Sequence, residues 1–148
     1  RISFAAAIHD VGKISVPSEI LSKPGLLHPI EMALVKTHAE EGYQILRKAD
    51  FPRHIVEVVR QHHERLDGSG YPRGLKNEEI LLEAKILAVA DTVEAMASHR
   101  PYRPALGIDK ALTEIRDGAG SRYDREIVDA CLYLFESGGY ELSPVSLG

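Results

Sequence analysis

A single cysteine among 148 residues, Cys131, excludes an internal disulfide and disfavours a structural zinc site built on thiolates. It stands among apolar residues in DACLYLFE and reads as a buried structural thiol in a reducing compartment. Long apolar runs are missing too. None approaches the length of a membrane span, and no signal peptide is recognisable. Positive charge is in deficit, with 18 Lys and Arg against 22 Asp and Glu and a formal net charge of −4. That balance argues against a protein that coats DNA or RNA duplexes. It leaves room for an anionic small ligand, because bound divalent metals reverse a local field. Strand-like alternation, internal repeats and low-complexity segments are absent as well. What remains is a single globular domain with a real core, expected in the cytoplasm; a membrane anchor, where one exists, belongs to an upstream domain.

What the sequence does have is a helical period nearly throughout. Ile2, Ala5, Ala6 and His9 mark a first helix that Gly12 ends. The stretch KISVPSEILSKPGLLHP is expected to be a loop, punctuated by Pro17, Pro24, Gly25 and Pro29. A second helix is expected from Pro29 to Arg47, with Ile30, Leu34, His38, Gly42 and Ile45 along its stripe. A third begins near Pro52 and carries Ile55, Val59, His62 and His63. The segment LLEAKILAVADTVEAMAS gives a fourth, aligning Ala84, Leu87, Asp91 and Ala95. Weaker helices are expected at Ile108–Asp117 and Asp124–Ser137, and GGYELSPVSLG forms a loose tail. The fold class is all-α, a helical bundle. Because RISFAAAIHD opens inside an apolar pattern with no cap, the chain is expected to be a piece of a longer one.

Polar residues intrude on these apolar stripes. His9 with Asp10, His38, His62 with His63, and Asp91 come from four separate helices. A buried imidazole or carboxylate without partners costs several kcal/mol, a large part of the stability of a small domain. One such intrusion is ordinarily a satisfied core histidine. Six converging from four helices suggest a metal site built inside a bundle. Imidazole with carboxylate suits iron, manganese, zinc or nickel. Asp10 is the candidate bridge between two ions. His62 and His63 stand about 100° apart around a regular helix, so they hold neighbouring ions, or the helix unwinds before the following turn.

Taken together, HDVGK at 9–13, KPG at 23–25, His38, HHERLDGSGYP at 62–72, and AVAD with RPYR between 88 and 103 resemble the HD-GYP domain. This is a branch of the HD superfamily of metal-dependent phosphohydrolases. The resemblance implies an HD-domain helical bundle with a central metal site, over residues 1–137 with a tail at 138–148. It implies hydrolysis of the bacterial second messenger cyclic di-GMP to pGpG or GMP through a metal-bridging hydroxide. Two or three divalent ions are implied, iron first and manganese second. By position, the metal ligands are His9, Asp10, His38, His62, His63 and Asp91, with Asp10 and Lys13 catalytic. Lys13, Arg100 and Arg103 match substrate-binding residues, and Gly70, Tyr71 and Pro72 are the name-giving triplet.

Further ligands of the family lie on helices upstream of the HD pair and are expected before Arg1, next to a sensor or receiver domain. Glu94 stands where aspartate is usual, and His28 where a small capping residue is. GGDEF-domain proteins meeting the GYP turn, and a homodimer, are the further partners the resemblance suggests. Two other functions stay open. One is a non-hydrolytic receptor or adaptor; the other is a phosphodiesterase for another cyclic dinucleotide. For Tyr71, stacking on a guanine and simple packing are both open, and glycines 68 and 70 need serve only a turn.

Overall fold

The computed structural model describes residues 2–98 and 106–142, and among these the chain is helical with no strand. Helices α1 (Ile2–Ile8), α4 (His38–Lys48), α5 (Arg53–Gln61) and α6 (Leu82–Ala97) gather around α5. Pro52 precedes α5, where its fixed φ and missing N–H are tolerated. Val58 of α5 joins Ala5, Ile80, Ala84 and Leu87 in one core cluster. Val56 and Val59 join Leu46 in another, with Ile8, Val11, Tyr43 and Phe51 packed around them. One short helix therefore feeds two clusters, so its end, where the histidine pair stands, is held from several sides.

The second expected helix is two. Helix α3 (Pro29–Lys36) ends at Thr37 and α4 starts afresh at His38. The carbonyl of Leu34 accepts from the Thr37 N–H at 3.1 Å and from the Thr37 hydroxyl at 2.6 Å. It is thereby taken from the His38 N–H, which a continuous helix would pair with it. The predicted stripe fails with the helix: Ile30 is 79% exposed and α3 buries nothing. The expected loop after Gly12 also has structure, a 3-10 turn at Val11–Ser15 and the short α2 (Ser18–Leu21). His28 precedes α3, its main-chain N–H donating to Glu31 at 2.8 Å.

Gly12 does not end α1, which stops at Ile8. Its role is close approach. A Cβ there would meet the His38 carbonyl and lie 2.5 Å from the Gly42 nitrogen. The 3-10 turn thus packs directly on α4, and the residues just before it are carried against His38.

Helices α7 (Ile108–Gly118) and α8 (Arg125–Glu136) match the expected positions to within a residue or so. Asp124 caps α8, accepting from the Ile127 N–H at 3.2 Å. With Val89 and Val93 of α6 they enclose a third cluster, Ala111, Leu112, Ile115, Tyr123 and Val128, against which Cys131 is half-buried. Among the described residues no helix is long and apolar enough to cross a membrane.

Candidate metal centre

Three of the four groups of candidate ligands stand at helix ends, not on the stripes of helices. His9 and Asp10 fill the turn after α1, His38 opens α4, and His62 and His63 follow the last residue of α5. Asp91 alone lies within a helix, α6. Helix ends leave backbone groups unpaired, and here they orient the ligands. Nδ1 of His9, His38 and His62 bonds the carbonyl three residues earlier, those of Ala6, Val35 and Val59. A carbonyl only accepts, so each of these rings carries a proton on Nδ1 and turns Nε2 inward.

These nitrogens converge. His38 Nε2 lies 3.3 Å from His62 Nε2 and 3.1 Å from His63 Nε2. His38, His62 and His63 form one group of ligand atoms mutually within 4.8 Å, and His9, His62 and Asp91 form a second. Asp10 lies between the two. Its Oδ1 is 3.4 Å from His38 Nε2 and 4.0 Å from His62 Nε2. Its Oδ2 is 3.2 Å from both His9 Nε2 and Lys13 Nζ. Asp91 closes the ring, with Oδ1 3.2 Å from His9 Nε2 and Oδ2 3.9 Å from His63 Nε2. All six candidate ligands and Lys13 therefore meet in one place. The helix does unwind before the turn: α5 stops at Gln61, His62 and His63 share one group, and His62 belongs to the second as well.

The donor set fits a cation. The lone pairs of His38 and His62 face one another and repel unless something positive lies between them. Burial resists a proton there, pushing His62 down to about 4 and lowering His38. His63 falls to about 2, from burial first and then the neighbouring His62. A divalent metal satisfies these nitrogens without protonating them, and imidazole with carboxylate is a common ligand set for such ions. At the His9 corner burial again opposes charge, but hydrogen bonds to Asp10 and Asp91 outweigh it and lift His9 to about 10. Asp10 is held far below the usual carboxylate range; its burial opposes this, and His9 and Lys13 overcome it.

Residues 1–127 match the HD domain family. The chain belongs to that family. Over 136 residues it is 46% identical to a cyclic di-GMP phosphodiesterase of Thermotoga maritima, covering 90% of this chain and 37% of that one. It is 42% identical over 122 residues to a 3'3'-cGAMP-specific phosphodiesterase of Vibrio cholerae, covering 82% of this chain and 26% of that one. The chain thus spans well under half the length of these relatives. The solved structure of Bd1817, an HDG"Y"P protein from Bdellovibrio bacteriovorus, shares the fold. Its TM-score is 0.70 at 21% identity, over 86% of this chain and 40% of that one. With its HHERLDGSGYP segment, this is an HD-GYP domain.

In this HD-GYP domain the name-giving turn folds back over the end of α5. The Tyr71 N–H donates to the His63 carbonyl at 3.2 Å, and the Tyr71 ring stacks on the His63 ring at 4.8 Å and 13°. Tyr71 packs on a candidate ligand, with Lys36 Nζ 5.5 Å from its ring centroid. Gly68 has φ of +82, the left-handed backbone expected of a turn glycine. Gly70 serves a different need. A Cβ on it would lie 2.5 Å from the Arg65 nitrogen and 2.6 Å from Glu64 Cα. Glu94, one turn beyond Asp91, accepts from the Ser98 hydroxyl at 2.9 Å. Arg100 and Arg103 lie outside the described residues.

Sequence reasoning passed over Glu64. It is 2% exposed, and its carboxylate accepts the N–H of Arg73 at 2.7 Å and of Leu75 at 2.9 Å. The signal was present: an acidic residue directly after a histidine pair, where the chain has to be buried.

Proposed function

We propose that this chain is the catalytic domain of a metal-dependent phosphodiesterase that hydrolyses cyclic di-GMP to pGpG or GMP. The observation that carries the proposal is the convergence of imidazole lone pairs around Asp10, a donor set that a metal completes. His9, Asp10, His38, His62, His63 and Asp91 would hold the metal, iron first and manganese in its place. One Nε2 has one lone pair, so His62 serves only one of its two groups, while the two oxygens of Asp10 suit a bridge between two ions. When bound, the metals supply Lewis acidity and activation of water at neutral pH.

The other roles belong to the chain itself. Lys13, half-exposed beside Asp10, sets an ammonium at the mouth of the site, where it meets phosphodiester charge or the leaving oxygen. Arg100 and Arg103 offer planar forks that match phosphate oxygens. Tyr71 presents its ring beside the centre, a surface on which a guanine stacks. Asp67, Ser69 and Arg73 on the GYP turn are exposed and form the face open to GGDEF-domain proteins. An upstream sensor or receiver domain and a homodimer would complete the protein in the cytoplasm.

The relative named for 3'3'-cGAMP favours a second substrate, that mixed cyclic dinucleotide. Turnover of cyclic di-GMP and of 3'3'-cGAMP, measured with Fe²⁺ or Mn²⁺ and again after chelation, tests both. Chelator-sensitive hydrolysis with cyclic di-GMP preferred is the expected result. Preference for 3'3'-cGAMP reassigns the substrate. Binding without hydrolysis in the metal-loaded protein makes the domain a receptor.

A further inference from the structure

We propose that Glu64 is a positioning residue that fixes the His63 imidazole through the GYP turn and Tyr71. The inference rests on the proposed role of His63 as a metal ligand. Its starting point is a difference among four histidines. His9, His38 and His62 are each oriented by a carbonyl three residues back on Nδ1. Among the described residues His63 has no such anchor. Its Nε2 faces only other candidate ligands, His38 and Asp91. Besides the rings of His38 and His62, which are candidate ligands themselves, the ring that packs on it is Tyr71, face to face.

The turn that carries Tyr71 sets where its backbone stands, and so bears on where its ring meets His63. On its near side the turn is held by the bond from the Tyr71 N–H to the His63 carbonyl, and by the close passage of Gly70 over residues 63–65. On its far side Glu64 holds it. The two oxygens of this buried carboxylate take one main-chain N–H each, from Arg73 directly after Pro72 and from Leu75. Glu64 also adjoins His63 in the chain, so one short segment carries both the ring and the clamp on the turn that covers it. A carboxylate is acceptor-only and can satisfy both donors. Glutamine at the same place sets an NH₂ group against one of them and leaves it unpaired. The turn then loosens at residues 73–75, and with it the ring of Tyr71. Outer contacts that orient a metal ligand act on affinity through the ligand they orient.

The test is titration of the purified protein with Co²⁺ alone, followed by the visible absorption of the bound ion and needing no turnover. Glu64→Gln and Tyr71→Ala are each expected to weaken Co²⁺ binding by about 10–100-fold, the usual effect of losing an outer-shell partner. Tyr71→Phe, which keeps the ring face that meets His63, is expected to bind Co²⁺ clearly more tightly than Tyr71→Ala. In a His63→Ala background, Glu64→Gln adds no further loss, since its effect runs through that ring. Native affinity in Glu64→Gln overturns the proposal. So does an equal loss with and without His63, which is what general damage to the fold would give. Should Glu64→Gln lose its helical circular dichroism, Tyr71→Ala against Tyr71→Phe decides the same link, and native Co²⁺ affinity in Tyr71→Ala overturns it. A native protein that takes up no Co²⁺ refutes the metal centre itself, and this inference with it.

Discussion

Lys13 and His9 approach the same oxygen of Asp10, each at 3.2 Å, and Lys13 is the more exposed of the two. In the proposed hydrolysis its ammonium would be a fixed donor to developing negative charge. Lys13→Ala is expected to lower kcat by about 10²–10³-fold, the effect of removing one such donor. Arg100→Ala should instead raise KM, by about 1.5–3 kcal/mol for a hydrogen bond to a charged group, with kcat little changed. Steady-state kinetics on the two variants separates chemistry from grip. Away from the site, Glu40 takes a paired bond from Arg60 at 2.7 and 3.2 Å. Burial raises the carboxyl, but the guanidinium outweighs it and holds Glu40 below its ordinary value. A depressed carboxylate stabilises the fold in full above its unfolded pKa and loses that contribution as pH falls through the folded one. Glu40→Gln should therefore cost up to about 1 kcal/mol at pH 7. The difference should vanish as pH falls below the carboxylate range, as urea melts at a series of pH values would show.

At the scale of elements, the centre depends on how closely the 3-10 turn sits on α4. Gly12 lies against the backbone of His38 and Gly42, and Asp10 two residues earlier faces His38. Gly12→Ala has no room for its methyl, and backbone cannot move aside as a side-chain tip does. The expected cost is about 1–3 kcal/mol of stability. The turn lifts away, so metal affinity falls in the same variant. Calorimetric melting with metal titration reads both. A loss of stability with unchanged metal affinity would show that Asp10 does not depend on this contact. The break at Thr37 belongs to the same scale, because it frees α4 to begin with His38 at its first residue.

Side chains from the turn after α1, the start of α4, the segment after α5 and the interior of α6 meet at one point. A metal bound there ties four elements that otherwise share modest clusters. Free metal at 100 times its dissociation constant adds about 2.7 kcal/mol, and for a domain of this size each kcal/mol moves Tm by about 2–4 °C. Chelation is accordingly expected to lower the melting temperature by roughly 5–10 °C. An unchanged melting curve after verified metal removal would count against a bound cluster.

The helical class and most helix positions were legible in the residues themselves. α6, α7 and α8 follow from a 3.6-residue period that needs no distant partner to be recognised. The six candidate ligands stood out in sequence as imidazole and carboxylate groups among apolar residues, although only Asp91 proves to lie within a helix and the others stand at helix ends. The folded structure decided what the helical period does not carry, in local bonds and in contacts remote in sequence. Period alone runs one helix from Pro29 to Arg47, whereas the Leu34 carbonyl, occupied by Thr37, divides it. Gly12 and Gly70 look like turn residues in sequence, and their need for no side chain comes from backbones that pass against them. Glu64 shows the limit most plainly. Its identity is written in the chain, but its partners lie nine and eleven residues on, and only the folded turn brings them to one buried carboxylate.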